Sequence, residues 1–195
     1  GETLLAGIGQ GFGLTTPLQL AVMVARLANG GKAVTPHLMR SIAAGQKVER
    51  HRAEKFPSLG ISKSSLALVT GAMNAVTNSR RGTAYRARIK DETMRMAGKS
   101  GTSQVRRITK YERETKVIKN KERPWRDRDH AHFVAFAPVY APRYAAAVVV
   151  EHGGGGSAVA APILRDLLIE TQKRDPNGPG EAERMSAEAG TEREA

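Results

Sequence analysis

The chain contains no cysteine, which excludes zinc ribbons, thiol catalysis and a disulfide framework. No run approaches the roughly 18 consecutive apolar residues of a membrane-spanning helix, and Gly1 to Gly13 lacks the layout of a signal peptide. Aromatic residues make up only 5% of the chain, a poor supply for a surface that stacks single-stranded nucleic acid. Acidic residues are in deficit: 31 Lys and Arg face 19 Asp and Glu, a formal charge of +12. That balance invites an anionic partner without choosing among nucleic acid, lipid headgroups and an acidic polymer. The 195 residues are enough for one domain with a core or for part of a larger one, and the start at Gly1 rather than Met is read as a fragment or a processed product.

What is present begins with a well-signed helix. In "LTTPLQLAVMVARLANGGK" Thr16 suits the N-cap, Pro17 the first helical position, and Gln19 closes a capping box. Leu20, Met23, Val24 and Leu27 recur at helical spacing, and Asn29-Gly30-Gly31 supplies the stop, so a buried helix preceded by a glycine-rich turn is expected. "AVTPHLMRSI" reads as extended and "GQKVERHRAEKFPSLG" as a surface excursion. A second helix is expected from Ser62 to Asn78 with Leu66, Val69, Met73 and Val76 on one face; Met23 and Met73 read as core packing.

From Thr93 the character changes. "MRMAGKSGTSQV" has the small-residue look of a strand that something approaches closely. Arg106 to Asp129 follows, a charge-dense segment with ten Lys or Arg against five acids, read as a long loop or a projecting hairpin. Phe133 to Ala137 and Tyr144 to Val150, joined by Pro138 to Arg143, read as an antiparallel strand pair. "SAVAAPILRDLLIETQKR" predicts a closing helix with Ile163, Leu164, Leu167 and Leu168 inward. Residues 175–195, rich in Pro, Gly, Glu and Ala, are expected to be disordered, leaving 1–174 as the structured domain. Helix, helix, three strands and helix, in that order, make an α+β design with an antiparallel sheet flanked by helices.

Gly98-Lys99-Ser100 could end a nucleotide-binding loop, but the position five before Gly98 is Thr93 and Gly101 stands where a helix should start. Read instead as a strand, Lys99-Ser100-Gly101-Thr102 brings an ammonium and a hydroxyl to one face by the period of two. Gly101 leaves clearance for a peptide against the backbone, Lys99 and the Thr102 hydroxyl can recognise a carboxylate, and backbone N–H groups can point at a developing oxyanion.

This tetrapeptide is a spelling of the K-T-G element of penicillin-recognising enzymes. Together with "GIGQGFGLTTPLQLAVMVARLANGG" before it and "HFVAFAPVYAPRYAAAVVVEHGGGGSAVAAPILRDLL" after it, the chain resembles the C-terminal part of the penicillin-binding protein 2 family, class B enzymes of cell elongation. The resemblance covers roughly Gly1 to Arg174, with Arg106 to Asp129 its least typical part. It implies a periplasmic peptidoglycan D,D-transpeptidase on the inner membrane, whose anchor, pedestal region and catalytic serine lie upstream. The fold implied is the last three strands of a five-stranded antiparallel sheet, two preceding helices and the C-terminal helix of a transpeptidase, β-lactamase-like domain. The substrates implied are stem peptides ending in D-Ala-D-Ala and their β-lactam mimics, the partners cell-elongation membrane proteins, with no cofactor and no metal. By position, Lys99 and Ser100 belong to the active-site hydrogen-bonding network, Gly101 gives clearance, Thr102 binds the substrate carboxylate and its N–H is one donor of the oxyanion hole.

The nucleophile of that family sits in S-x-x-K, because an unassisted hydroxyl is a poor nucleophile at neutral pH. No serine of this chain has a lysine three residues on, and no S-x-N is present. The chain alone is therefore expected not to acylate, and apolar faces that the missing elements would cover are expected to stand open. A non-catalytic cell-wall scaffold or remnant is the alternative, and a basic nucleic-acid-binding protein a more distant one. His130, His132 and His152 have no carboxylate or cysteine cluster to complete a tetrahedral metal set and read as loop or strand-end histidines.

Overall fold

In a computed structural model the chain is described over residues 13–38, 41–44, 47–50, 56–106 and 108–174. The glycine-rich turn expected before the first helix and the disorder expected of 175–195 lie outside the described residues. Helix α1, Pro17–Ala28, starts as its sequence dictates: the Thr16 side chain accepts from Gln19 N–H at 3.2 Å, and Gln19 Oε1 accepts from Thr16 N–H at 2.8 Å. It ends where Gly30 and Gly31 take φ of +83° and +79°, a conformation side chains resist. A two-stranded hairpin follows, β1 Ser41–Ala44 with β2 Lys47–Arg50. It spans the junction of the stretches read as extended and as a surface excursion, and adds two strands to the expected element order.

Helix α2, Lys63–Asn78, is capped by Ser62, and its buried residues are Leu66, Met73 and Thr77. Val69, expected inward, is 40% exposed; the inner stripe steps to Thr77 because residues 66, 73 and 77 keep the i, i+7, i+11 spacing of one face. Strand β3, Ala97–Ser103, pairs antiparallel with β4, His130–Ala137, which pairs antiparallel with β5, Tyr144–Val150, in the order β3-β4-β5. Between β3 and β4 the charged segment contains one short helix, α3 Lys110–Glu114, and two 3₁₀ turns, Asn120–Glu122 and Trp125–Asp127. After β5, a single π turn, Gly156–Ala160, leads into α4, Ala161–Arg174.

The central strand β4 feeds two cores, which explains its unbroken apolar run. Ala131, Phe133, Ala135 and Ala137 pack with Leu164 and Leu168 of α4 and with Ala84, Ala87 and Ile89 of the turn after α2. Val134 and Phe136 point the other way, against Val24 of α1, Met73 of α2 and Ala97. The alanines keep α4 and the π turn close to the sheet. Of the four residues expected inward on the closing helix, Leu164 and Leu168 are buried, while Ile163 and Leu167 are each 49% exposed. Met23 corrects another expectation: at 45% exposed it is not core. With Leu18, Leu27, Leu59 and Ile61 it lines an open apolar cleft of about 540 Å³, which agrees with the expectation of uncovered apolar surface.

Candidate functional site

The site is built on β3, an edge strand: β4 occupies one side, and no strand among the described residues occupies the other. Its start is fixed from α2. Thr77 Oγ1, buried in the core, donates to Met96 O at 2.8 Å, and the half-buried Asn78 Nδ2 donates to the same carbonyl at 2.9 Å. Gly98 follows, where an added Cβ would lie 2.6 Å from both the Phe133 ring and Val134 O, so no side chain fits. The strand then emerges from the core: Ala97 and Gly98 are buried, Ser100 is half-buried, and Lys99, Gly101, Thr102 and Ser103 are exposed.

The register pairs Lys99 with Val134, Ser100 with Phe133, Gly101 with His132 and Thr102 with Ala131. Alternation therefore places Lys99 and Gly101 on the face of α1 and Met73, and Ser100 and Thr102 on the face of α4. This corrects the expectation that the period of two brings an ammonium and a hydroxyl to one face; a ligand would meet both by lying along the open edge. The Lys99 ammonium is exposed and donates to the carbonyl of Ser100 at 2.6 Å.

Backing for the exposed half of β3 comes from the glycines after β5. A Cβ at Gly156 would stand 2.2 Å from His132 O and 2.4 Å from Gly101 O, so the π turn lies directly against the strand pair at the middle of the motif. The four consecutive glycines, Gly153 to Gly156, are the signal in the sequence for this close backbone approach.

The charged segment leaves β3 and returns to it, since Ser103 pairs with His130. Near its start Glu112 accepts from Arg106 at 2.5 Å and from Thr109, and these bonds hold its carboxyl down at about 2. Near its end Arg123 and Asp129, only 8% and 7% exposed, pair at 3.3 Å. Asn120 bridges them, donating to Asp129 Oδ2 at 2.9 Å and accepting from Asp129 N–H at 2.9 Å. Asp129 O in turn accepts from Gly154 N–H at 2.8 Å. The segment read from sequence as a long loop or a projecting hairpin thus includes a buried ion pair that ties it to the turn after β5.

The histidines stand at this same end. Trp125 packs against His152 with ring centroids 4.4 Å apart and the rings tilted by 59°, and the His130 ring lies 4.7 Å from that of His152. His132, on Lys99's face of β4, has its Nε2 buried without a hydrogen-bond partner, and burial followed by the proximity of His130 lowers its pKa.

The comparisons agree with this architecture. The penicillin binding protein transpeptidase domain family matches residues 2–169. The peptidoglycan D,D-transpeptidase MrdA of Salmonella typhimurium is 36% identical over 170 residues, covering 86% of this chain and 26% of the relative. That of Escherichia coli K12 is 33% identical over 178 residues, 91% of this chain and 27% of the relative. This chain therefore spans about a quarter of the length of these relatives. Among solved structures, Pseudomonas aeruginosa PBP2 in complex with WCK 5153 superposes with a TM-score of 0.65 at 35% identity, over 88% of this chain and 33% of that one. Helicobacter pylori PBP2 in complex with MreC gives 0.66 at 31% identity, over 88% and 27%. An antiparallel sheet between two helical layers, an open edge strand spelling K-S-G-T and a match over nearly all the described residues lead to one conclusion: the chain belongs to the penicillin-binding protein transpeptidase family.

Proposed function

We propose that this chain is the C-terminal part of a peptidoglycan D,D-transpeptidase of cell elongation, and that Lys99 to Thr102 form the substrate-recognition strand. The observation that carries the reading is the edge of β3 that no strand among the described residues occupies, which presents this motif at the point where the strand leaves the core. A stem peptide ending in D-Ala-D-Ala is an extended segment with a terminal carboxylate, and an open strand edge recognises such a segment through its backbone. Lys99 supplies positive charge beside the reacting carbonyl and its hydrogen-bonding network. Ser100 belongs to the same network, the Thr102 hydroxyl holds the carboxylate, and Gly101 lets the peptide approach.

The serine Oγ, proposed to lie N-terminal to Gly1, attacks the carbonyl carbon of the penultimate D-Ala. The Thr102 N–H is one donor to the oxygen that becomes negative there. The C–N bond then breaks, the terminal D-Ala leaves with a proton on its amine, and the acyl-enzyme passes to the amine of a second stem peptide. A β-lactam enters the same sequence and stops at the acyl-enzyme. The periplasmic face of the inner membrane is the location this chemistry requires; none of the described helices is long and apolar enough to cross a membrane. Membrane proteins of the elongation machinery are the proposed partners, in keeping with the MreC complex of the Helicobacter pylori protein.

The test is intact mass after incubation with benzylpenicillin, on the 195-residue chain and on the longer product read in frame upstream of the Gly1 codon. The expected result is no adduct on the chain and one adduct on the longer product, at the serine of an S-x-x-K. A stop codon close upstream, or a longer product that carries S-x-x-K and does not acylate, overturns the enzymatic reading in favour of a scaffold.

A further inference from the structure

We infer that His130 and His152 form a pH-sensitive latch that fastens the charged segment between β3 and β4 at neutral pH and releases it on acidification. The geometry of one hydrogen bond carries this. The backbone N–H of His152 donates to Nδ1 of His130 at 2.9 Å, so that nitrogen must present a lone pair. A doubly protonated imidazole has two N–H donors and no acceptor, and cannot make the bond. His152 answers differently to the same proton, because its own Nδ1 lies 3.0 Å from the carbonyl of Arg128 and donates there whether or not the other nitrogen is protonated. The two bonds hold His152 in a left-handed conformation, φ +56°, that residues with a Cβ avoid.

The latch has a load to hold. Trp125, on the last 3₁₀ turn of the segment, rests on the His152 ring while remaining 62% exposed. Once both imidazoles are charged, rings 4.7 Å apart repel. The other ionisable groups at this junction fall on each element that meets it. On β4, His132 already disfavours a further charge beside His130. On the segment, Asp129 is committed to Arg123 and Asn120, Arg128 donates through Nε to Arg123 O, and Arg106 feels Asp127 and Asp129 from the segment's start. On the turn after β5, Glu151 adjoins His152 and is exposed. The carboxylate closest in sequence to His130 is thus already paired, leaving the His130 lone pair as the element that a proton removes. Because His130 is the register partner of Ser103, opening the latch loosens the segment at the point where it joins the exposed end of β3.

The latch is read without reference to acylation, so it stands or falls independently of the proposed activity. On the 195-residue chain, hydrogen exchange by mass spectrometry is followed at pH 8 and pH 5, with rates corrected for intrinsic chemistry. The expected result is a loss of protection of about tenfold in peptides covering 120–130 and 151–155, with peptides from 161–174 unchanged. Emission from Trp125, the only tryptophan of the chain, moves over the same pH interval. His130→Asn, whose Oδ1 accepts a hydrogen bond at any pH, is expected to keep the pH 8 protection at pH 5. Unchanged protection in the wild type, an unabolished pH response in H130N, or parallel loss in 161–174 overturns the latch. Imidazole ¹⁵N shifts at pH 8 decide the matter even if H130N does not fold: a proton on Nδ1 of His130 overturns it, and a lone pair there supports it.

Discussion

Gly156 and Gly101 touch backbone to backbone: a Cβ on Gly156 would stand 2.4 Å from the Gly101 carbonyl oxygen and 3.1 Å from its nitrogen. Strand β3 is therefore supported from behind, at its middle, by an element more than fifty residues later in the chain. Support of this kind is rigid because neither neighbour is the movable end of a side chain. Gly156→Ala is expected to push the π turn away from β3 and β4, at a cost of about 1–3 kcal/mol. Urea unfolding measures the cost, and hydrogen exchange across 97–103 measures the loosening. An unchanged midpoint with unchanged exchange would show that the turn yields freely.

Thr77 holds the other end of the strand. Its hydroxyl is buried and donates to Met96 O, a carbonyl that otherwise relies on Asn78. Thr77→Val keeps the shape and removes the donor, and is expected to destabilise the chain by about 1 kcal/mol. Thr77→Val combined with Asn78→Ala leaves that carbonyl without either donor and is expected to cost more than the sum of the two single changes. Denaturant unfolding of the four proteins reads the coupling directly; strict additivity would sink the shared-carbonyl account.

These two contacts also mark where the sequence stops being legible. The capping box of α1 could be read because Thr16 and Gln19 are three residues apart and satisfy each other locally. Strands β4 and β5 could be read from their apolar runs, and strand β3 from the small residues around Lys99-Ser100-Gly101-Thr102. The hairpin β1–β2 could not, since "SIAA" and "KVER" are four residues each and too weakly apolar to show a strand period. Nor could the choice of Leu164 and Leu168 over Ile163 and Leu167, which depends on the angle at which the π turn delivers α4 to the sheet. The need for glycine at positions 98 and 156 is set by Phe133, Val134 and His132, and so is invisible in either local stretch. The buried pair Arg123 and Asp129 is hidden for a related reason: in a segment with charges of both signs at every few positions, only the fold selects which two meet.

Below the range in which the histidines respond, acid should act on the Arg106 end of the charged segment. The carboxyl of Glu112 is held at about 2 by the Arg106 guanidinium and the Thr109 donors, against 4.5 for the free group. A depressed folded pKa means that the contribution is fully present above the unfolded value and disappears as pH falls through the folded one. Helix α3 and its junction are therefore expected to lose protection between about pH 4.5 and pH 2. Glu112→Gln should weaken the junction at neutral pH and flatten this acid limb. Hydrogen exchange of 106–115 from pH 6 to pH 2 checks it, and a limb of the same steepness in E112Q would assign the transition to other groups.

The ammonium of Lys99 gives the prediction closest to the chemistry. In this chain it rests 2.6 Å from the Ser100 carbonyl, a contact within its own strand that a substrate or a neighbouring hydroxyl can replace at little cost. A hydrogen bond from a charged donor is worth about 1.5–3 kcal/mol, and each 1.36 kcal/mol is a factor of ten in rate. In the proposed longer, serine-bearing protein, Lys99→Ala is therefore expected to slow acylation by a fluorescent penicillin by roughly 10–100-fold. Because Lys99 is exposed and Ala97 and Gly98 carry the packing of this strand, the thermal midpoint should barely move. Lys99→Arg keeps the charge but spreads it over a planar fork that does not reproduce a point donor, so it should recover only part of the loss. Stopped-flow acylation rates for the three proteins, set beside their melting curves, separate the outcomes. A fall in stability that tracks the fall in rate would make Lys99 a structural residue, and an unchanged rate would place the substrate elsewhere than along the open edge of β3.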